Sequence, residues 1–142
     1  MANPIASGIY HKGNLAMARN EINRLTDTIQ VIFLSNAHTI DAINDDIIND
    51  VVDHEVGTIA RQTLGSKTIT NTTSNVAVFD GADISLVGIT GDFKHIVIAK
   101  FDTADSNANS KLLAYWTFED QSANNQDINI NFNINGIITE TV

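Results

Sequence analysis

The chain of 142 residues contains no cysteine, a single proline and only eight basic residues. Without cysteine it forms no disulfide or thiolate metal site, and it has no thiol nucleophile. Its 17 acidic residues give a net charge of −9, which argues against nucleic-acid binding because a basic surface is needed to displace phosphate counterions. The longest apolar run, Leu112–Trp116, is far shorter than the roughly 20 residues of a membrane span. We therefore expect neither nucleic-acid nor membrane partners.

The first residues, Met1–Tyr10, lack the basic and apolar regions of a secretory signal. We therefore expect the protein to be made in a cytoplasm. The absence of cysteine is compatible with any later redox environment, so composition alone does not fix the final location.

Strand-forming and turn-forming residues dominate what is present. The chain has 20 Ile, 9 Val and 14 Thr, together with 17 Asn and 13 Asp. β-Branched residues favour strands, whereas Asn and Asp favour turns, so the composition predicts many short strands. An apolar content of 43% is sufficient for a folded core. The length predicts a single domain over residues 1–142.

The N-terminal segment carries much of the positive charge. Residues 13–25 fit a helical period only loosely, so they predict either a short helix or part of an N-terminal arm spanning residues 1–25. Lys12, Arg19 and Arg24 lie in or beside this segment, and we expect them to contact a partner.

One regular helix is predicted between Asp41 and Asp53. Its apolar residues Ile47, Ile48, Val51 and Val52 form one helical stripe. Asp residues there suit the helix start. The same segment places six acidic residues within residues 41–55, which is typical of a solvated helix face, of a patch for a basic partner, or of a divalent-cation site.

Residues 28–34 are apolar on both faces, which predicts a central strand.

From residue 57 onward the pattern is almost entirely β. Gly65-Ser66 predicts a hairpin between strands 58–64 and 67–71. Further strands are predicted over residues 76–79, 84–87, 93–101, 111–118, 128–135 and 137–142. About seven to nine strands indicate an antiparallel β-sandwich or small barrel with one short helix.

The most regular pattern lies in residues 128–135. Ile128, Ile130, Phe132 and Ile134 alternate with Asn129, Asn131, Asn133 and Asn135. A period of two places all the amides on one face of a strand. Two interpretations remain open for this asparagine row, a solvated face or a contact with another copy or partner, and we take Asn129, Asn131 and Asn133 as candidate partner-binding residues.

Nothing in the sequence predicts catalysis or a bound cofactor. His11, His38, His54 and His95 have no spacing that places two ligands on one helix face, and no G-x-S-x-G motif occurs. The polar loop over residues 102–110 is rich in oxygen ligands, but it lacks the glycine and closing glutamate of an EF-hand. We therefore predict no catalytic residue, no metal and no cofactor, and expect a protein that is not an enzyme.

Five segments resemble a family of small virion structural proteins of tailed bacteriophages. TDTIQVIFL over residues 26–34 is similar to their opening strand "TDTIKVALL", and VFDGADI over residues 78–84 resembles "VxFDADDV". The other similar segments are residues 60–70, 93–113 and 127–138. The chain departs from the pattern at Leu86, where the family has an aromatic residue, and at Asn131-Phe132, where it has "QW".

The resemblance implies a β-sandwich component of the phage particle. The leading expectation is a capsid decoration, or cement, protein that binds the major capsid protein and stabilises the head. The alternative is a tail, neck or tail-tip protein that contacts host surface glycans. Either role implies many symmetric copies or a homo-oligomer, other virion proteins as partners, and the virion as the final location.

Overall fold

The computed structural model describes residues 3–71, 76–103, 106–132 and 136–141. These residues form one α-helix and eight strands. The elements in chain order are β1 (Ala6–Ile9), α1 (His11–Ala18), β2 (Ile29–Leu34), β3 (Gln62–Thr63), β4 (Thr68–Asn71), β5 (Val76–Asp80), β6 (Ile84–Asp102), β7 (Ser106–Ile130) and β8 (Ile138–Thr141). Two single 3₁₀ turns, Ile48–Asp50 and Val52–His54, lie between β2 and β3.

The strands form two antiparallel sheets. The large sheet has the order β1-β7-β6-β2-β3, and the small sheet has the order β4-β5-β8. Residues of both sheets, including Phe33 and Phe79, share the main hydrophobic core. The predicted mainly β, sandwich-like architecture with one short helix is confirmed, and the number of strands in the described chain falls within the predicted range.

Strand β2 is central, as its two apolar faces predict. It lies between β6 and β3 in the large sheet. Ile29, Val31 and Phe33 face the main core, whereas Ile32 and Leu34 belong to a second core on the opposite face. Alternation of side chains along a strand places these two sets on opposite sides of the sheet. The second core consists of Tyr10, Ile32, Leu34, Ile48, Val51, Val97, Ala99 and Leu112.

Strands β6 and β7 are longer than predicted. Residues 84–87 and 93–101 form one continuous strand, and so do residues 111–118 and 128–130. The two strands pair as a long hairpin with several shifts of register. Such bulges bend a strand without ending it. The predicted polar loop is correspondingly short, because β6 extends to Asp102 and β7 begins at Ser106.

The predicted hairpin around Gly65-Ser66 is wrong. Residues 62–63 pair with β2 in the large sheet, whereas residues 68–71 pair with β5 in the small sheet. Ser66 adopts a positive φ of 48°, and the chain crosses between the sheets here. The turn signal is therefore real, but it joins strands of different sheets.

The helix predicted between Asp41 and Asp53 is also wrong. Asp41 accepts hydrogen bonds from the backbone N–H groups of Ile43 and Asn44, and Asp50 accepts from Asp46 and Ile47. Carboxylates that bond nearby N–H groups compete with helical hydrogen bonding. The segment forms turns and the two 3₁₀ turns instead. Within the predicted apolar stripe, Ile48 and Val51 are fully buried.

The N-terminal segment is part of the fold and not a free arm. Strand β1 pairs with β7 from Ala6 to Ile9. Tyr10 is fully buried, and Ala16, Met17 and Ile22 are buried in the main core. Of the two predictions for residues 13–25, the short helix is the one that forms, over His11–Ala18.

Candidate functional site

Lys12 and Arg19 lie on the outer side of α1 and of the turn that ends it. They lie in one exposed stripe with Leu15, at a spacing of three and four residues. The helix start is tied to a neighbouring loop, because His11 N donates to Ala42 O (2.8 Å) and Lys12 Nζ donates to Asn44 O (2.9 Å). Ile43, at 62% exposure, therefore adjoins the helix.

We call Lys12, Leu15, Arg19 and Ile43 the α1 patch. Leu15 is 48% exposed, so the patch combines two apolar side chains with two cations on a molecule of net charge −9. Clustered apolar and arginine side chains are typical of protein–protein contacts. The sequence pattern drew attention to the two cations but not to Leu15 and Ile43, because the loop contact that brings Ile43 to the helix is not visible in a local pattern.

Arg24 lies elsewhere. Its guanidinium carbon is 5.6 Å from the centre of the Phe79 ring in β5, a distance typical of a cation–π contact. Arg24 therefore packs against the small sheet, and the structure does not place it in the α1 patch.

The asparagine row alternates in burial as predicted over its described part, although the strand itself ends at Ile130. Ile128 and Ile130 are buried, whereas Asn129 and Asn131 are exposed. Asn133 lies outside the described residues. Ser85 Oγ donates to Asn129 Oδ1 over 2.7 Å, so part of the row already bonds to β6.

Asn129 and Asn131 line a groove with a volume of about 470 Å³. Its walls come from the N-terminal segment, β6, the middle and end of β7, the residues that lead into β8, and β8 itself. We call this cavity the Trp116 groove, lined by Asn3, Pro4, Ser7, Ile96, Trp116, Phe118, Asn129, Ile130, Asn131, Phe132, Gly136, Ile137 and Thr139.

Two aromatic rings form part of the groove wall. The ring centres of Trp116 and Phe132 are 6.1 Å apart, with a tilt of 48° between the planes. Asp83 holds the backbone at Phe132, whose N–H donates to Asp83 Oδ1 over 2.8 Å. Gly136 has a φ of +78°, and a Cβ atom there would lie 2.2 Å from a methyl group of Val78. Only glycine therefore lets the chain turn into β8 here.

Three of the four histidines, His38, His54 and His95, lie together, and His54 is the last residue of the second 3₁₀ turn. The Nδ1 atoms of His38 and His54 are 3.2 Å apart. His95 Nε2 is 3.0 Å from His38 O, and His95 Nδ1 is 2.9 Å from Thr117 Oγ1. A carbonyl oxygen only accepts, so His95 carries its proton on Nε2. Sequence spacing gave no indication of this histidine cluster, because its members come from three separate segments.

Burial dominates the electrostatics around the histidine cluster. It lowers the pKa of His38 and of His95 below the ordinary histidine value, and nearby imidazoles add to the effect. His38 Nε2 is 3.5 Å from Asp45 Oδ2, and burial raises the pKa of Asp45. Burial also raises the pKa of Tyr10, with the charge of Asp45 contributing. Burial therefore favours the neutral forms of His38, His95, Asp45 and Tyr10.

Some of the acidic residues between residues 41 and 55 form ion pairs within the chain, and others are exposed to solvent. Glu55 forms a two-point ion pair with Arg61, with N–O distances of 2.7 and 2.6 Å, and Asp46 pairs with Lys111 at 2.8 Å. Asp50 and Asp53 are exposed. Within the described parts of the chain, no three His, Asp or Glu side chains are grouped so that they could hold a metal ion.

No helix within residues 3–71, 76–103, 106–132 and 136–141 has the length and apolar character required to cross a membrane. Comparison with known proteins gave no match to a protein-family model, to a curated protein or to a solved structure.

Proposed function

We propose that this chain is a bacteriophage virion structural protein that decorates the outer capsid surface and stabilises the head. The observation that supports the proposal is the position, within the fold, of the five segments that resemble the phage structural-protein family. Residues 26–34 include β2, residues 60–70 lead through β3 into β4, and residues 78–84 include the end of β5. Of the remaining two segments, residues 93–113 include the end of β6 and the start of β7, and residues 127–138 include the end of β7 and the first residue of β8. The resemblance thus extends over strands of both sheets.

The α1 patch is the surface that we assign to capsid attachment. It offers Leu15 and Ile43 for apolar burial and Lys12 and Arg19 for contact with acidic groups of the major capsid protein. Arginine and exposed apolar side chains contribute strongly to protein interfaces. Because a capsid presents the same surface many times in symmetric positions, many copies of the chain can bind to each particle.

The test is rebinding to particles that lack the protein. Purified wild-type chain is added to such particles, and bound chain is measured after sedimentation. The proposal predicts saturable binding, and a double variant Leu15→Ser/Arg19→Glu should bind at least about tenfold more weakly, a loss of about 1.4 kcal/mol.

A matched control separates the patch from a general effect of charge and polarity. Val87→Ser/Asn124→Glu places a hydroxyl on β6 and an acidic side chain on β7 instead, where Val87 is 78% exposed and Asn124 is also exposed. It should bind like wild type. Failure of the wild-type chain to bind particles would overturn the decoration role, whereas normal binding by Leu15→Ser/Arg19→Glu would overturn only the assignment of the α1 patch.

A tail, neck or tail-tip location is the second candidate. The same five segments support it, and the Trp116 groove favours it because a protein that meets the host surface needs a site open to an external ligand. Rebinding to isolated tails instead of heads would support this candidate.

A further inference from the structure

The described residues that line the Trp116 groove carry no charge, although the protein is strongly charged. These 13 residues include no Asp, Glu, Lys, Arg or His, whereas the whole chain has 17 acidic and eight basic residues. Binding a phosphate, a carboxylate or a cation in a groove requires an opposite charge or a dense set of matching dipoles. The lining residues therefore favour a ligand without net charge.

The groove offers an apolar aromatic surface. Trp116 and Phe132 are both half-buried, and both pack on the main core. Support from the core holds the rings in place, so little side-chain entropy is lost when a ligand covers them. Aromatic rings present an electron-rich face that attracts weakly positive hydrogens. The C–H groups on one face of a pyranose ring are such hydrogens.

Amides and a hydroxyl lie beside this surface. Asn129, Asn131, Asn3 and Ser7 line the same groove. Each asparagine provides two N–H donors and one carbonyl acceptor, and a serine provides one donor and two acceptor sites. The bond from Ser85 to Asn129 Oδ1 fixes that amide and leaves its Nδ2 group for a ligand. These donors and acceptors match a ligand with adjacent hydroxyl groups, because each hydroxyl group both donates and accepts a hydrogen bond.

We propose that the Trp116 groove binds a neutral saccharide, with a sugar ring over Trp116 or Phe132 and its hydroxyls bonded to Asn129 and Asn131. The volume of about 470 Å³ lies within the range of roughly 300–1,000 Å³ that is typical of small-molecule sites. The proposal concerns the isolated chain, so its outcome does not depend on attachment to a particle.

The single tryptophan makes the test specific to this site, because Trp116 is the only one in the chain. Emission of Trp116 is recorded while the purified chain is titrated with neutral hexasaccharides of glucose, galactose, mannose or N-acetylglucosamine, each up to about 10 mM, a ceiling that reaches the weak millimolar range. A hexamer of galacturonic acid serves as the charged comparison. At least one neutral hexasaccharide should shift the emission saturably, whereas the charged hexamer should not.

Variants link the signal to the groove. Asn131→Ala should weaken binding at least about tenfold, the loss expected for hydrogen bonds from one amide. Asn124→Ala, at an exposed position of β7 that does not line the groove, should bind like wild type. Phe132→Leu preserves apolar volume while it removes the ring, and it should also weaken binding.

Three results would overturn the proposal. The first is no shift with any neutral hexasaccharide, and the second is binding that Asn131→Ala and Phe132→Leu leave unchanged. The third is an emission change that follows protein concentration without sugar and accompanies dimer formation in sedimentation, since a second copy of the chain would then occupy the groove.

Discussion

The imidazoles of His38 and His54 face each other, with their Nδ1 atoms 3.2 Å apart. At this distance one nitrogen donates a proton and the other accepts it. Protonation of both rings would place two N–H groups face to face. Together with the burial of His38 and His95, this arrangement favours the neutral forms of those two residues.

We therefore expect the protein to lose stability as the pH falls. Burial lowers the pKa of His38 and His95 in the folded state, so the unfolded chain binds more protons below about pH 6.5. The melting temperature measured by circular dichroism should be lower at pH 5.5 than at pH 7.5. The raised pKa of Asp45 has the opposite sign, because the folded state then holds that proton more tightly, and it offsets part of the loss at more acidic pH.

Two variants test this origin of the pH dependence. His38→Gln removes one buried imidazole and should reduce the difference between the two melting temperatures. His11→Gln changes the exposed histidine of α1 and should leave the difference unchanged. Equal melting temperatures at both pH values in the wild-type chain would contradict the explanation.

Two substitutions of Tyr10 are predicted to change the free energy of unfolding in opposite directions. Its ring is fully buried and meets Tyr115 edge-on at 5.4 Å, but its hydroxyl has no hydrogen-bond partner among the described residues. Tyr10→Phe should raise the free energy of unfolding by about 1 kcal/mol, because it removes an unsatisfied buried group. Tyr10→Ala should lower it by about 3–5 kcal/mol through the cavity that it leaves. Urea denaturation measures both, and a destabilised Tyr10→Phe would indicate a partner for the hydroxyl.

Replacing Gly13 with alanine should lower the stability of the protein, although this substitution normally stabilises a helix. Alanine in place of glycine usually gains about 1 kcal/mol in a helix interior, but a Cβ atom on Gly13 would lie 2.0 Å from the backbone oxygen of Leu112. Because α1 packs this closely on β7, Gly13→Ala should destabilise the protein by about 1–3 kcal/mol. Asn14→Ala, one residue further and exposed, should be neutral or slightly stabilising. A stabilised Gly13→Ala in thermal denaturation would show that the helix lies further from β7.

The stability of the protein is expected to depend on the forked guanidinium of Arg61 and not only on its positive charge. It bonds both carboxylate oxygens of Glu55 and also donates to Asn107 Oδ1 over 2.9 Å. Lysine cannot make this forked contact, so Arg61→Lys should cost about 1–3 kcal/mol of unfolding free energy. Arg19→Lys makes the same exchange at an exposed position and should have no measurable effect. Equal stability of Arg61→Lys and wild type in chemical denaturation would contradict the structural role of the fork.

The sequence correctly predicted those features that follow from a short-range repeat of apolar and polar residues. The two faces of β2 follow from apolar residues on both sides of a strand, and Phe33 and Leu34 do lie in different cores. The exposure of Asn129 and Asn131 follows from the period of two in the same way. Between Asp41 and Asp53 the apolar stripe was misleading, because Asp41 and Asp50 bond the backbone of their own segment.

Features that depend on distant contacts could not be predicted. Trp116 and Phe132 meet only because the β6–β7 hairpin bends and Asp83 holds the backbone at Phe132. Tyr10 becomes part of the second core only because β1 pairs with β7. Neither contact leaves a pattern in the neighbouring sequence.

The copy number of this chain in purified particles tests the decoration role most directly. Quantitative mass spectrometry with isotope-labelled peptides gives the ratio of this chain to the major capsid protein. A decoration protein follows the symmetry of the capsid, so we predict a fixed ratio close to a simple fraction or multiple of the capsid subunits. A copy number set by the single tail, or the absence of the chain from the particles, would contradict it.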